Sequence, residues 1–270
     1  MFIFLVTFAA AIGGLLFGYE IGVISQVLGM PSFRSVFKLD AFTEGLITST
    51  FLLGCTVGAV IVSRIADTLG RRKSIIIASV LFILGGLFQS LTLNLFYLGR
   101  IVSGLGIGIL SSVVPLFIGE TAPTFIRGQL ISVQQLMITL GVFLASVVNA
   151  IIIINIEGDF EWRLALGIQV IPSAVLLFVM LSMPESPRWL ANNNFESECL
   201  QTLILLREGY SNEEVEQEYQ ELLNSIKMER TIGEGSFKEL LNKGIVNRVW
   251  LAVLIQMCQQ WTGASRLNRD

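Results

Sequence analysis

The chain has 270 residues, of which 53% are hydrophobic and only 14% charged, with a formal net charge of -3. Its mean hydropathy is +0.71, whereas a soluble domain carries about 25% charged residues. The charge balance and the lack of a Lys/Arg-rich stripe argue against nucleic acid as a partner. There is no histidine, so the commonest general base and metal ligand are both missing. Cys55, Cys199 and Cys258 show neither metal spacing nor an even-numbered framework. No catalytic constellation stands out, and an enzyme, a metal site or a bound cofactor is not expected.

The apolar residues gather in blocks of about 20, the length that crosses a bilayer as helix. The first runs from 2 to 27, too long for a signal segment and without a basic leader. Further spans are predicted over 43–63, 74–93, 96–118, 129–154 and 164–183. Backbone in lipid must satisfy itself, and nothing here alternates like a barrel strand, so the spans are read as helices. The loop at 64–73 holds Arg64, Arg71, Arg72 and Lys73, while the one after the fifth span holds Glu157, Asp159 and Glu161. The positive-inside rule then makes the basic loop cytoplasmic, along with the N-terminus and the 184–246 stretch.

Glycines four apart (Gly14, Gly18 and Gly22; Gly54 and Gly58; Gly104 and Gly108) predict close helix crossings. Gly104, Gly106 and Gly108 follow no strand, which rules out a nucleotide loop. After the sixth span, two stretches repeat apolar residues at helical spacing: Phe195, Cys199, Leu203 and Leu206, then Val215, Tyr219, Leu222 and Ile226. Ser211 and Glu214 form a capping box ahead of the second. These read as amphipathic helices under the membrane domain, or as a solvated linker with nascent helix. A last apolar segment is predicted near 247–264.

Two ionisable residues fall well inside spans, Glu20 and Arg100. At the bilayer centre each would cost about 2.5–3.5 kcal/mol. With the topology above both lie toward the outer end. They either pair across the bundle beside a water-filled cavity, with Glu20 exchanging a proton, or reach the headgroups separately.

These residues resemble the sugar porters of the major facilitator superfamily, from Gly13 to Gly263. Gly13 to Glu20 is similar to the family's first helix. Ala66-Asp67-Thr68-Leu69-Gly70-Arg71-Arg72 resembles its loop signature, with Ser63 where a glycine is usual. Gly99-Arg100, Pro115, Glu120, Pro123 and Arg127-Gly128 follow the fourth-helix pattern, with Phe117 for a tyrosine. Pro184-Glu185-Ser186-Pro187-Arg188-Trp189-Leu190 is the most specific piece, and Gln259-Gln260 with Gly263 resembles the start of helix seven.

The resemblance implies an all-α integral membrane fold. Residues 1–183 would form the N-terminal six-helix bundle, 184–246 a cytoplasmic helical linker, and 247–270 the start of a second bundle with a partial seventh helix. It implies alternating-access transport of a hexose-like monosaccharide, in a multi-pass protein of the plasma membrane. The sugar would meet Phe17, Gln135, Gln259 and Gln260. Asp67, Arg71, Arg72, Glu120, Arg127, Glu185 and Arg188 would form the ion pairs of the cytoplasmic gate. An acid at Glu20 beside Arg100 suggests proton coupling, although some facilitators carry that acid too. Past Gly263 the sequence turns charged where the family stays apolar. That fits a truncated half that does not transport alone; the alternative is a non-transporting sensor or half-length regulatory protein.

Overall fold

In a computed structural model, described over residues 2–91, 93–156, 158–232 and 243–261, every regular element is a helix. They are α1 (Phe2–Val27), α2 (Pro31–Phe37), α3 (Ala41–Leu69), α4 (Arg71–Leu91), α5 (Phe96–Thr121), α6 (Arg127–Asn155), α7 (Phe160–Ile168), α8 (Val170–Leu181), α9 (Pro187–Asn192), α10 (Glu196–Leu206), α11 (Asn212–Ile232) and α12 (Lys243–Trp261). Six segments are long and apolar enough to cross a membrane: α1, α3, α4, α5, α6, and α7 with α8 taken together. The chain is an integral multi-pass membrane protein.

Two features depart from the expected spans. The sixth is broken at Gln169 between α7 and α8. Pro172 lies just beyond, and its ring cannot share space with the carbonyl one turn back, a standard cause of a kink. The second is α2, a seven-residue helix with Pro31 at its first position, closed by Lys38 in the left-handed conformation. Asp40 then opens α3, its carboxylate accepting the Thr43 N–H at 2.8 Å. Hydrogen bonding to Thr43 also holds the Asp40 carboxyl below its usual range.

Helix α5 sits between α3 and α4 because its glycines point both ways. A Cβ on Gly104 or Gly108 would collide with the carbonyl of Phe51 or Cys55 on α3, and one on Gly106 with the carbonyl of Ala78 on α4. On α1, Gly14 and Gly18 lie against the backbone of α6, and Gly22 against Ala145 and Val142. These are the crossings predicted from small-residue spacing. At one end of the bundle, Phe33 and Phe37 of α2 pack on Phe96 and Trp162, with the Phe33 and Trp162 centroids 5.4 Å apart. The α3–α4 turn marks the other end.

The chain divides into two compact units, 1–219 and 220–270. Compactness places a boundary after Tyr219, whereas composition changes after Met183. The two differ because α9 and α10, polar on one face, pack on the bundle through Leu190, Ala191, Cys199, Leu203 and Leu206. The Cys199 thiol donates to the Pro187 carbonyl at 3.2 Å, and burial pushes its pKa up to about 11. The capping box of α11 forms: Glu214 N–H donates to Ser211 Oγ at 3.2 Å, and Ser211 N–H to Glu214 Oε2 at 2.9 Å. The second unit carries α12, which falls on the expected seventh apolar segment.

Candidate functional site

Glu20 lies in the last third of α1 and Arg100 in the opening turns of α5, and the structure brings them into an ion pair. Each side chain is 1% exposed, so the pair is enclosed by the bundle. Arg100 Nη1 donates to Glu20 Oε1 and, at 3.3 Å, to Gln89 Oε1. Arg100 Nε points at the Ile47 carbonyl, 3.4 Å away, and the guanidinium lies 4.6 Å from the centre of the Phe51 ring. Glu20 Oε2 has no protein hydrogen-bond partner among the described residues. A carboxylate so arranged can add a proton on the bare oxygen while the other stays near its arginine. Sequence reasoning missed Gln89, Phe51 and the Ile47 carbonyl. Gln89 was the findable one, an amide in an otherwise apolar span.

At the opposite end, α4 begins directly after Gly70, whose φ of 98° suits glycine. A Cβ there would also strike the Glu185 carboxylate. That carboxylate occupies the N-terminus of α4: Oε1 accepts the N–H groups of Arg71 and Arg72, each at 2.9 Å, and of Ser186 at 2.9 Å. A negative charge at a helix N-terminus satisfies donors that the helix itself leaves open. The complementary arrangement holds for Arg72. Its guanidinium donates to the carbonyls of Met180 at 3.0 Å and Leu181 at 2.6 Å, at the C-terminal end of α8.

Arg71 makes a two-point contact with Glu120, Nε to Oε2 at 2.9 Å and Nη2 to Oε1 at 3.0 Å. Its Nη1 reaches Asp67 Oδ1 at 3.2 Å and the Ala66 carbonyl at 2.9 Å. Ser186 joins the group by donating to Glu120 Oε2 at 2.5 Å. The heptapeptide at 184–190 thus has a local logic. Glu185 caps α4, Ser186 caps α9 by accepting the Trp189 N–H at 3.3 Å, and Pro187 takes the first helical position. Trp189 Nε1 donates to the Asp67 carbonyl at 2.8 Å, tying the motif to α3.

Of the seven residues expected at this end, Asp67, Arg71, Arg72, Glu120 and Glu185 converge. Arg188 is exposed on α9. Arg127 is exposed at the start of α6, and among the described residues none of the cluster's hydrogen bonds involves it. Ser186 and Trp189 were not singled out from sequence, although both lie inside the quoted motif. A further arginine was missed outright. Arg207, 2% exposed, donates to the Thr121 carbonyl at the end of α5 at 2.8 Å and to both Glu218 oxygens at 2.7 and 2.6 Å.

The residues expected to meet a sugar fall on α1, α6 and α12. Phe17 is half-buried and packs on the bundle core. Gln135 is exposed on α6, while its neighbour Gln134 faces inward against Gly14. Gln259 and Gln260 lie in the last turn of α12, with their side chains outside the described residues; Gly263 lies outside them altogether.

Residues 6–267 match the family described as "Sugar (and other) transporter". Among curated proteins, the chain is 36% identical over 266 residues to the putative metabolite transport protein YncC of Bacillus subtilis, covering 97% of this chain and 56% of that protein. It is 36% identical to the galactose-proton symporter of Escherichia coli, covering 96% and 54%. It is 40% identical to the glucose transporter GlcP of Staphylococcus epidermidis, covering 81% and 48%. Among solved structures it resembles the proton:xylose symporter XylE bound to 6-bromo-6-deoxy-D-glucose, with a TM-score of 0.80 and 30% identity over 88% of this chain and 55% of that one. A partially occluded inward-open XylE from E. coli gives a TM-score of 0.83 at 27% identity, covering 99% and 66%. The chain spans about half the length of the curated relatives it matches. It belongs to the sugar porters of the major facilitator superfamily, and its six apolar spans are those of the family's N-terminal half.

Proposed function

We propose that this chain supplies the N-terminal wall and proton site of a monosaccharide transporter that works by alternating access. A sugar/proton reading is supported by relatives named as galactose-proton and arabinose-proton symporters. The observation that carries it is the enclosed Glu20–Arg100 pair, in which one carboxylate oxygen has no hydrogen-bond partner among the described residues. Loading a proton on Glu20 neutralises its half of the pair and weakens the tie between α1 and α5. Such a tie is what a carrier needs to make and break once per cycle.

In this reading Phe17 covers the apolar face of a hexose-like sugar, and Gln135, Gln259 and Gln260 bond its hydroxyls, since an amide both donates and accepts. Carriers of this superfamily build the site between two bundles near the midplane. Residues 1–183 therefore furnish one wall and 247–270 begin the other. The cluster of Asp67, Arg71, Arg72, Glu120 and Glu185, flanked by Arg127 and Arg188, closes the pathway on the cytoplasmic side. The N-terminus and the 184–246 segment face the cytoplasm, and the plasma membrane is the host bilayer.

The test is sugar-driven alkalinisation in proteoliposomes of a full-length homologue with an acid–arginine pair at these positions. Substituting the acid as in Glu20→Gln should abolish alkalinisation while sugar exchange persists. Intact alkalinisation would remove the proton role, and sugar binding without any uptake would favour a sensor.

A further inference from the structure

We infer that Gln89 is a positioning residue that holds the Arg100 guanidinium in place when Glu20 takes up a proton. This rests on the proton role of Glu20 proposed above, and it is carried by the hydrogen bonds around the Gln89 amide.

Gln89 is fully buried on α4. Its Nε2 donates to Ser103 Oγ at 2.9 Å and lies 3.3 Å from the Gly99 carbonyl. The Ser103 hydroxyl donates in turn to the Arg100 carbonyl at 3.1 Å. Both partners of Nε2 are thus acceptors, which fixes which end of the amide is which. Its Oε1 is left facing Arg100 Nη1 at 3.3 Å. The side chain sits in a built slot, for a Cβ on Gly99 would approach Gln89 Cγ to 2.8 Å and the Gly85 carbonyl to 2.8 Å. Gly99 makes room for this side chain, and Gly85 lets Ser103, its hydrogen-bond partner, come close to α4.

A guanidinium keeps its charge under any physiological condition. While Glu20 is ionised, Arg100 has its counter-charge. Once Glu20 is neutral, the cation is buried with only neutral partners: the uncharged Glu20 Oε1, Gln89 Oε1 from α4, the Ile47 carbonyl at 3.4 Å and the Phe51 ring from α3. Stranding a buried charge is costly, so the partners that remain matter most in that state. Gln89 supplies the side-chain oxygen among them that does not belong to the acid itself. It therefore favours the protonated form of Glu20, and its loss should make Glu20 harder to protonate. Tyr19 on α1 and Cys55 on α3 are the other titratable groups facing Glu20. Both are uncharged near neutral pH and do not substitute for the amide.

The experiment uses the chain in lipid nanodiscs with 15N-labelled arginine. In Glu20→Gln, which mimics the neutral acid, adding Gln89→Met should speed hydrogen exchange of the Arg100 guanidinium roughly tenfold. In the Glu20 background at alkaline pH, the same change should have under about a third of that effect, because the ion pair remains. Equal effects in both backgrounds, or none, would overturn the inference. A second readout follows the infrared carboxyl band of Glu20, identified by its loss in Glu20→Gln. Gln89→Met should lower its midpoint by about one pH unit, a tenfold loss of proton affinity. Ser103→Ala, which frees the amide to rotate, should lower it by less. A midpoint that stays or rises in folded protein also overturns it. Absence of any Glu20 band would instead defeat the proton role, and the exchange experiment would still decide the part played by Gln89.

Discussion

The bundle carries a carboxylate at each end of α5, and their surroundings are opposite in kind. Glu120 has every oxygen engaged, by the fork of Arg71 and by Ser186, and nearby Glu185 is filled by backbone N–H groups. Glu20 has one oxygen on Arg100 and, among the described residues, no donor on the other. At Glu120 and Glu185 the carboxylate oxygens are taken up by donors, whereas Glu20 keeps one oxygen without a protein donor among the described residues, where a proton can be added. Charge alone does not separate the two ends. The number of donors aimed at each oxygen does.

The largest effect that tests this contrast is Arg100→Leu, which leaves Glu20 buried and alone. It should cost about 3–5 kcal/mol in detergent unfolding, as for other broken buried pairs. A loss under about 1 kcal/mol would mean that the pair is no more enclosed than the opposite cluster. Glu185→Ala should cost less, about 1–2 kcal/mol, because the N–H groups it uncaps lie at a helix end that water can reach. Arg71→Lys keeps the charge but loses the two-point contact, and should cost below about 1 kcal/mol at low salt. Part of that difference should vanish in high salt, since Asp67 is 70% exposed and screened. The stability lost on Arg100→Leu should be insensitive to salt.

The smallest effect concerns Asp40, whose carboxyl is held below its ordinary value by Thr43. Its contribution is fully present above the unfolded value and is lost as the pH falls through the lower folded value. Wild type should therefore lose stability relative to Asp40→Asn only on acidification below the usual carboxylate range. Thermal unfolding of both across pH 6 to about 3 checks this.

The six spans were legible because a bilayer imposes a length on apolar sequence, and no competing pattern of that length exists in this chain. The glycine crossings were legible for a similar reason: spacing of four puts small residues on one helix face. The break at Gln169 was not read, although Pro172 stands in plain view, because an apolar run hides a kink that leaves its length unchanged. Helix α2 was missed because seven residues hold too little periodicity. Glu20 and Arg100 were legible as charges in the wrong solvent, but whether they paired or parted depended on rotation of α1 against α5. Composition carries no record of that. The same limit explains the amides of α6. Gln134 and Gln135 are chemically identical neighbours, and only the packing of Gly14 shows which one faces α1.

Arg100 and Glu120 stand on one helix, about 30 Å apart at 1.5 Å per residue. Glycine contacts up to Gly108 clamp the first half of that helix to α3 on one side and α4 on the other, and Pro115 stands inside it before Glu120. It is one continuous helix with an ionic joint near either tip. A tilt of the whole helix on discharging one joint would carry the other with it, whereas a bend at Pro115 would leave it in place.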